Sequence, residues 1–345
     1  MEKETDLYSM LNKKKILYIA TKNADYIRIS QEVKLIKECG LKYEVIAFTD
    51  KSYLKRIIKV YKAILFKSLK EFDYIFIGFM PQLILPVLGW KLKKNKIIID
   101  FFISIFDTLT DDRKRTKPYS ALGIISKFTD KLTLKMADLI IVDTEAHGQY
   151  FVNELGANIN KIKVLYLEAD TDIFYPRQAV KPEKYLNKYI VCYFGSILPV
   201  QGVEIILESI EKLKNRKEIH FIMIGPINNQ YQKVWTDTVT YVEWLPQNEL
   251  ANVIAYSDLC LGGHFSANVM KAKRTIPGKV YIFKAMKKPV ILGDSEANRE
   301  LFEDKQGENY FVEMGNSELL SKQIIECYEM WRESRKAEEN EYTRN

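Results

Sequence analysis

Short apolar runs that alternate with helix-forming segments set the pattern of this chain. In the first half, each run is rich in β-branched and aromatic residues and is followed by a polar loop and a helical stretch. The runs are Lys15–Ala20, Tyr43–Phe48, Tyr74–Gly78, Lys96–Phe101 and Leu139–Asp143. Because near-continuous apolar runs of this length are buried on both faces, they predict a parallel sheet covered by helices on both sides.

The same alternation restarts after residues 177–188, a polar stretch with the composition of a linker. The predicted strands of the second half are Tyr189–Gly195, Ile219–Gly225, Thr240–Trp244, Leu259–Leu261 and Pro289–Leu292, and the predicted helices are Val203–Lys214, Gln247–Ala255, Lys279–Met286 and Ser317–Trp331. The sequence therefore predicts an α/β protein with two doubly wound domains, residues 1–176 and 189–331, and a charged tail, residues 332–345, that frays. Because ligands of such sheets bind at the carboxyl ends of the strands, we expect the site in the cleft between the domains.

Length and composition agree with this organisation. A chain of 345 residues exceeds what one hydrophobic core usually organises, and a hydrophobic fraction of 47% is ordinary for a globular protein. The four cysteines, at positions 39, 192, 260 and 327, match neither a CxxC pair nor a metal-ligand spacing, so we expect isolated buried thiols. The first twelve residues lack the order of a secretory signal, and a cytoplasmic protein is expected.

The net charge of +7 is unevenly distributed. Between Lys51 and Lys70 there are seven basic residues and no acidic one, and apolar residues recur there at helical spacing. This segment is either a basic amphipathic helix on an anionic membrane surface, at the inner face of the cell membrane, or a domain helix with a solvated lysine face. Nucleic acid is not expected as a partner, because no recognised binding motif is present.

Glycine turns and a basic loop supply the candidate ligand-binding residues of the second domain. One turn follows the first strand of that domain through Gly195 and Ser196 to Gln201 and Gly202, and another follows the next strand at Gly225. Such turns before a helix N-terminus can hold a phosphate, although they are also ordinary structural turns. The segment from Leu261 to Phe302 adds two adjacent glycines, a Pro-Gly turn and several cations, which suits a diphosphate. These cations are Lys271, Lys273, Arg274 and Lys279.

The order of these segments resembles the carboxy-terminal domain of family 4 glycosyltransferases. The resemblance rests on FGS at 194–196 with QG at 201–202, MIG at 223–225, VEWLPQNEL at 242–250, SD at 257–258, IPGK at 276–279 and AMKKPV at 285–290. In the first half, ADLIIVDT at 137–144 and DTDIFYP at 170–176 are similar to segments that precede the domain crossover in that family. The resemblance covers roughly residues 95–302.

The resemblance implies a GT-B fold, in which two Rossmann-like domains face a central cleft. It also implies a UDP- or GDP-sugar donor held mainly by the second domain, no essential metal or other cofactor, and usually retention of anomeric configuration. The expected activity is transfer of a hexosyl group to a glycan acceptor, lipid-linked, in the synthesis of a surface polysaccharide or glycolipid.

The sequence departs from the family pattern at the donor site. Ser196 and Gln201 stand where an arginine and a lysine usually contact the donor diphosphate, and Arg274 and Ile282 stand where two glutamates are usual. Isoleucine cannot accept a hydrogen bond from a ribose hydroxyl, and a diphosphate needs cationic or N–H partners. Either Lys271, Arg274 and Lys279 have replaced the missing groups, which we favour, or the chain is an inactive partner subunit that binds glycan or another transferase.

The expected donor-binding residues are therefore Gly195, Ser196, Gln201, Gly202, Gly225, Lys271, Arg274 and Lys279. His264 is expected near the sugar, ahead of the other two histidines, His147 and His220. In the first domain Asp107 is preferred to Asp100 as a carboxylate that positions the acceptor or stabilises an oxocarbenium-like charge, although both aspartates can instead cap a turn. A GT-B sugar-nucleotide epimerase would need more acidic and histidine groups than the sequence offers.

Overall fold

The computed structural model describes residues 2–227 and 231–342. The chain divides into two compact units, and the boundary lies between Glu168 and Ala169. This boundary precedes the predicted linker, residues 177–188. That linker is itself partly ordered: it contains one turn of 3₁₀ helix at Glu183–Tyr185, and Tyr185 is buried.

The first unit contains one sheet of six parallel strands. They are β1 (Lys15–Ala20), β2 (Lys42–Ile46), β3 (Tyr74–Phe79), β4 (Lys96–Asp100), β5 (Leu139–Val142) and β6 (Ile162–Val164), in the order β2-β1-β3-β4-β5-β6. Every neighbouring pair is parallel, as the apolar runs predict. The sequence analysis missed β6, because three residues are too short a run to stand out from the loops around it.

Helices cover both faces of this sheet. They are α1 (Glu2–Leu11), α2 (Ile27–Cys39), α3 (Tyr53–Phe66), α4 (Leu85–Leu92), α5 (Ile105–Asp107), α6 (Ala121–Met136) and α7 (Glu145–Leu155). One core cluster includes Val60 of α3, Leu88 of α4 and Leu134 of α6. A second cluster includes Leu7 of α1 and Ile36 of α2. The helices α3, α4 and α6 therefore share a core cluster that α1 and α2 do not enter.

The second unit repeats this architecture. Its strands are β7 (Tyr189–Phe194), β8 (Ile219–Ile224), β9 (Val239–Val242), β10 (Leu259–Gly263), β11 (Val290–Gly293) and β12 (Asn309–Val312), in the order β12-β11-β10-β7-β8-β9. All neighbouring pairs are parallel. Chain order reverses between β7 and β10, and in doubly wound sheets such a switch point is where ligands bind.

The helices of the second unit are α8 (Val203–Leu213), α9 (Gln247–Tyr256), α10 (Lys271–Arg274), α11 (Gly278–Ala285), α12 (Glu296–Leu301) and α13 (Ser317–Tyr342). The last helix was predicted to end at Trp331 and the tail to fray. This prediction is wrong, because α13 continues to Tyr342. The tail is rich in Glu and Arg, which are good helix formers, and no glycine or proline interrupts it. Residues 343–345 lie outside the described part of the chain.

A buried ion pair joins α2 to the carboxyl end of β4. The Arg28 guanidinium donates to both carboxylate oxygens of Asp100, at 2.8 and 3.1 Å, and also to the Leu165 carbonyl. Glu32 lies beside them and accepts a 2.5 Å hydrogen bond from the Tyr18 hydroxyl. Burial and the nearby Asp100 raise the pKa of the Glu32 carboxyl well above its usual range. Because a raised pKa favours the protonated form of Glu32, the charge of Arg28 is balanced mainly by Asp100.

Replacing Arg28 with Met tests this pair. Removing one partner leaves the Asp100 charge buried and uncompensated, which typically costs about 3–5 kcal/mol. We expect the thermal unfolding midpoint, followed by circular dichroism, to fall by about ten degrees or more. Lys42→Gln is the matched control, because its ion pair with Glu71 is solvent-exposed and should leave the midpoint unchanged. Equal melting of both variants would show that the buried pair is not stabilising.

Candidate functional site

The carboxyl ends of three strands converge at the switch point of the second sheet. Gly195 follows β7, Gly225 follows β8, and Gly263 ends β10. The Gly195 amide donates to the Ile224 carbonyl at 3.0 Å. A Cβ atom on Gly225 would lie only 2.3 Å from the Gly195 carbonyl oxygen. The two predicted glycine turns therefore touch each other, and the second must be glycine for the backbones to approach this closely.

The loop after β7 is fixed against the loop after β10. A turn of 3₁₀ helix at Pro199–Gln201 leads into Gly202, which adopts a φ of +65° and begins α8. A Cβ on Gly202 would lie 2.4 Å from the Ser266 nitrogen. The Phe265 amide donates to the Gln201 carbonyl at 3.1 Å. Gln201 and Gly202 are thus held at the same edge as the residues that follow β10.

Lys279, in the first turn of α11, reaches the same place. Its ammonium donates to Gln201 Oε1 at 2.5 Å and lies 4.0 Å from the centre of the Tyr193 ring. The side chain is buried, and among the described residues no carboxylate lies within ion-pair distance of it. Burial lowers the pKa of this amine well below its ordinary value. The site therefore contains a desolvated amine that an anion would stabilise as the ammonium.

The position of Gly195 keeps space beside that amine. A Cβ at this residue would lie 3.5 Å from Lys279 Nζ, in contact with it. With glycine there, an anion can approach the amine together with the backbone of the turn. Backbone N–H groups, a helix N-terminus and one cation are the partners that phosphate groups use. The arrangement suits a diphosphate.

His264 comes directly after β10 and is buried. Its pKa is lowered to about 3, first by burial and then by the nearby cations Lys279 and Lys271. The imidazole is therefore neutral near pH 7, and it cannot supply positive charge to a phosphate. Its Nδ1 has no hydrogen-bond partner among the described residues, so the ring is suited to a single hydrogen bond with a hydroxyl.

The remaining predicted donor residues lie around this group. Lys271 and Arg274 are half-buried and mark the two ends of α10, whose Ala272 packs with Val200 of the loop after β7. Lys271 is near enough to depress the pKa of His264. Ser196 is exposed at the turn, whereas Ile282 is buried in α11 and offers no polar atom for a ribose.

In the first unit, Asp107 lies in α5 and is buried. The turn after β4 is capped by other residues: the Asp107 amide donates to the Ser104 hydroxyl at 3.0 Å, and the Phe106 amide donates to the Asp130 carboxylate at 2.9 Å. Asp100 is occupied by its ion pair with Arg28. The structure thus gives Asp100 a structural partner that spacing along the sequence does not reveal.

The other two histidines have different surroundings. His147 is fully buried, and its Nδ1 lies 2.6 Å from an Asp143 carboxylate oxygen at the carboxyl end of β5. The Nε2 of His220 lies 2.9 Å from the Thr240 hydroxyl, and burial lowers the pKa of this ring to about 4. His220 is therefore a strand residue with a structural partner. The contact between Asp143 and His147 is visible only in the folded structure.

The basic segment between Lys51 and Lys70 forms α3. Only part of its predicted apolar face is covered: Val60 and Ile64 are buried, whereas Leu54 and Ile58 are exposed. Among the described residues, no helix is long and apolar enough to cross a bilayer. Within the same residues, no group of three metal-binding side chains lies close enough to hold an ion. The four cysteines are buried free thiols, as predicted.

Comparison with known proteins adds a family match and a fold match. Residues 188–330 match the family model of glycosyl transferases group 1. The second unit therefore contains a glycosyl transferase group 1 domain. No curated protein sequence matches the chain. The match covers the second unit, which contains the glycine turns, His264 and Lys279, so it falls on the residues that form the candidate site.

Three solved structures illustrate the similarity in fold. Anabaena HepE in complex with UDP and glucose has a TM-score of 0.61 and 13% identity, and the match covers 92% of this chain and 90% of that one. Sucrose-phosphate synthase from Thermosynechococcus elongatus has a TM-score of 0.65 and 12% identity, with 91% of this chain and 90% of that one covered. A putative UDP-N-acetylglucosamine 2-epimerase from Listeria monocytogenes has a TM-score of 0.56 and 13% identity, with 92% of this chain and 88% of that one covered. At these identities the similarity shows the fold. The GT-B fold prediction is confirmed. The putative epimerase among these structures shows that the same architecture occurs with more than one activity.

The lowered pKa of Lys279 predicts a proton uptake when a diphosphate binds. In the free protein the amine loses its proton at a lower pH than an ordinary lysine, and a bound diphosphate raises its pKa again. Between those two pKa values binding takes up as much as one proton, so affinity falls by at most about tenfold for each unit of rising pH. Calorimetric titration of UDP near pH 8, in buffers of different ionisation enthalpy, measures this uptake.

Lys284→Met is the control for that titration. Lys284 lies on the same helix, and burial also lowers its pKa, but its ammonium donates to the Asn309 side chain. The control should keep the proton uptake of the unmodified protein. Binding without proton exchange in the unmodified protein would contradict the role given to Lys279.

Proposed function

We propose that this glycosyltransferase moves a hexosyl group from a UDP- or GDP-sugar to a glycan acceptor, with retention of anomeric configuration. The observation that carries the donor assignment is the Lys279 ammonium, which lies at Gln201 beside the two glycine turns. In family 4 glycosyltransferases, the position held here by Gln201 is usually a lysine that contacts the donor diphosphate. Here an amine from α11 reaches the same loop, so a cation is supplied although the sequence position has changed.

The residues of the candidate site have separate roles in this reaction. Lys279 and the N-terminus of α8, which follows Gly202, bind the diphosphate leaving group. Their positive electrostatic environment stabilises the charge that develops on it as the glycosidic bond to the nucleotide breaks. Lys271 and Arg274 add cations at the rim. The neutral His264 hydrogen-bonds a sugar hydroxyl. No metal or other cofactor is part of this proposal.

UDP is the first candidate for the nucleotide, because the similar Anabaena HepE structure contains UDP. For the acceptor, we propose a lipid-linked glycan of surface polysaccharide or glycolipid synthesis, with Asp107 as the first-unit carboxylate that positions it. The exposed apolar residues of the basic helix α3 fit a protein that works at the inner face of the cell membrane.

A second candidate function is an inactive partner subunit. It is favoured by Ile282, which is buried where a ribose-binding glutamate is usual, and by Ser196 in place of the usual arginine. Such a subunit would bind glycan or another transferase and would not bind a donor. Donor binding therefore separates the two candidates.

The test is the thermal unfolding midpoint in the presence of UDP, GDP, UDP-glucose, UDP-N-acetylglucosamine and GDP-mannose. A ligand at one hundred times its Kd stabilises the native state by about 2.7 kcal/mol, which raises the midpoint by several degrees. We expect nucleotides of one base to stabilise the protein. Lys279→Ala should abolish that shift and Arg274→Ala should reduce it, whereas Lys284→Ala should keep it. If none of the nucleotides shifts the midpoint at millimolar concentration, the donor assignment is contradicted and the partner-subunit function is favoured.

A further inference from the structure

Helix α6 presents its apolar side chains to the outside of the first unit. Leu122, Ile125 and Phe128 recur at helical spacing and are 52%, 62% and 65% exposed. Ile124 is also exposed, and Tyr119, just before the helix, is 92% exposed. A surface helix normally turns such residues toward the core.

The buried side of α6 is correspondingly polar. Ser126, Asp130 and Thr133 are buried there, beside Gly123 and Leu134. The Asp130 carboxylate accepts hydrogen bonds from the Ser104 hydroxyl at 2.6 Å and from Gln82 Nε2 at 3.0 Å, in addition to the Phe106 amide. These bonds fix the orientation of α6, so its apolar face cannot turn inward without leaving a buried carboxylate unsatisfied.

The residues around this face are basic. Arg113, Lys114, Arg115 and Lys117 precede α6 and are all exposed, and Lys131 and Lys135 are exposed on the helix itself. Between residues 113 and 135 the one acidic residue is Asp130, which is buried. The accessible surface of this segment is therefore apolar and cationic, with no exposed carboxylate of its own.

The neighbouring helices continue the same surface. A Cβ on Gly89 of α4 would overlap Met136 of α6, so the two helices are in contact, and Val87 and Trp90 of α4 are 51% and 64% exposed. Lys91 of α4 donates to the Leu65 carbonyl near the end of α3. Phe66, the last residue of α3, is 88% exposed. Apolar side chains thus protrude from three neighbouring helices.

We propose that the α6 surface, defined as Tyr119, Leu122, Ile125 and Phe128 with the basic residues 113–117, binds an anionic lipid bilayer. The apolar side chains enter the interface between headgroups and acyl chains, and the cations contact lipid phosphates. Trp90 and Tyr119 are residue types that favour this interface. This inference rests on the proposed work at the inner face of the cell membrane and names the surface that binds the bilayer; it concerns the first unit and requires no donor.

Charge is what favours a bilayer over a second copy of the chain. In a two-fold symmetric dimer the same patch meets itself, so the cations of residues 113–117 would be brought close to their own equivalents. An anionic membrane offers the opposite charge and an apolar interior to the same surface. An apolar patch of this kind that stays uncovered in water is an aggregation liability.

The test is co-sedimentation of the full-length protein with vesicles of phosphatidylcholine alone or with about one third phosphatidylglycerol, at low and high salt. We expect binding to the anionic vesicles and weaker binding at high salt. The apolar variant Leu122→Ser, Ile125→Ser, Phe128→Ser and the charge variant Arg113→Gln, Lys114→Gln, Arg115→Gln, Lys117→Gln should each lower the partition coefficient by about tenfold or more. Only the charge variant should lose most of the salt dependence.

The matched controls carry equally exposed side chains of the second unit. Val180, Trp235 and Trp244 are 93%, 79% and 73% exposed, and their combined change to Ser should leave vesicle binding unaltered. Lys212, Lys214, Lys217 and Lys322, changed together to Gln, control for the loss of four positive charges. The α6 variants should keep the thermal midpoint of the unmodified protein, because the changed side chains are exposed. They should also keep any nucleotide-dependent shift, because that shift belongs to the second unit.

Three outcomes would overturn the proposal. One is failure of the unmodified protein to bind anionic vesicles at low salt. Another is binding that persists in both α6 variants. The third is a change in oligomeric mass, measured by analytical ultracentrifugation, that appears only when the α6 surface is altered, since the surface would then be an interface between copies. None of these depends on whether the protein binds a nucleotide.

Discussion

The contact between the Lys279 ammonium and the Gln201 side-chain oxygen is the interaction on which the candidate site depends. It joins the N-terminus of α11 to the loop after β7, across the switch point of the second sheet. A buried amine with no carboxylate partner among the described residues is unfavourable in the empty protein, and the lowered pKa expresses that cost. An anion bound beside Gly195 would relieve it. The close backbone approach at Gly202 and Gly225 holds the loops after β7, β8 and β10 at the same edge of the sheet.

The first unit is governed by a different constraint, the satisfaction of buried charge. Arg28 neutralises Asp100 at the end of β4, and Asp130 is satisfied by the turn that follows the same strand. Because Asp130 anchors α6 by its polar side, the apolar side of that helix is left outside. The stability of the turn and the exposure of Leu122 and Phe128 are therefore two consequences of one set of hydrogen bonds.

Sequence patterns predicted ten of the strands because each is a continuous apolar run between turn residues. They missed β6 and β12, which are short, and they missed α1, whose buried Leu7 and Leu11 stand in a mostly polar segment. Gly195, Gln201, Gly202, Gly225 and Lys279 were all predicted as donor residues, and the fold brings them together. The reach of Lys279 to Gln201 was not predictable, because 78 residues separate them in the chain. Amphipathic periodicity pointed to α3, and it overlooked α6 because a pattern does not say which face is buried.

The most direct test of the central claim exchanges the two residues in contact. The Kd of the stabilising nucleotide would be measured by calorimetry for Lys279→Gln and for the double variant Lys279→Gln with Gln201→Lys. Loss of one charge-assisted hydrogen bond should weaken binding by about tenfold to a hundredfold in the single variant, and a lysine restored at position 201 should recover most of that loss. Unchanged affinity in the single variant, or a folded double variant that binds no better than the single one, would contradict the account.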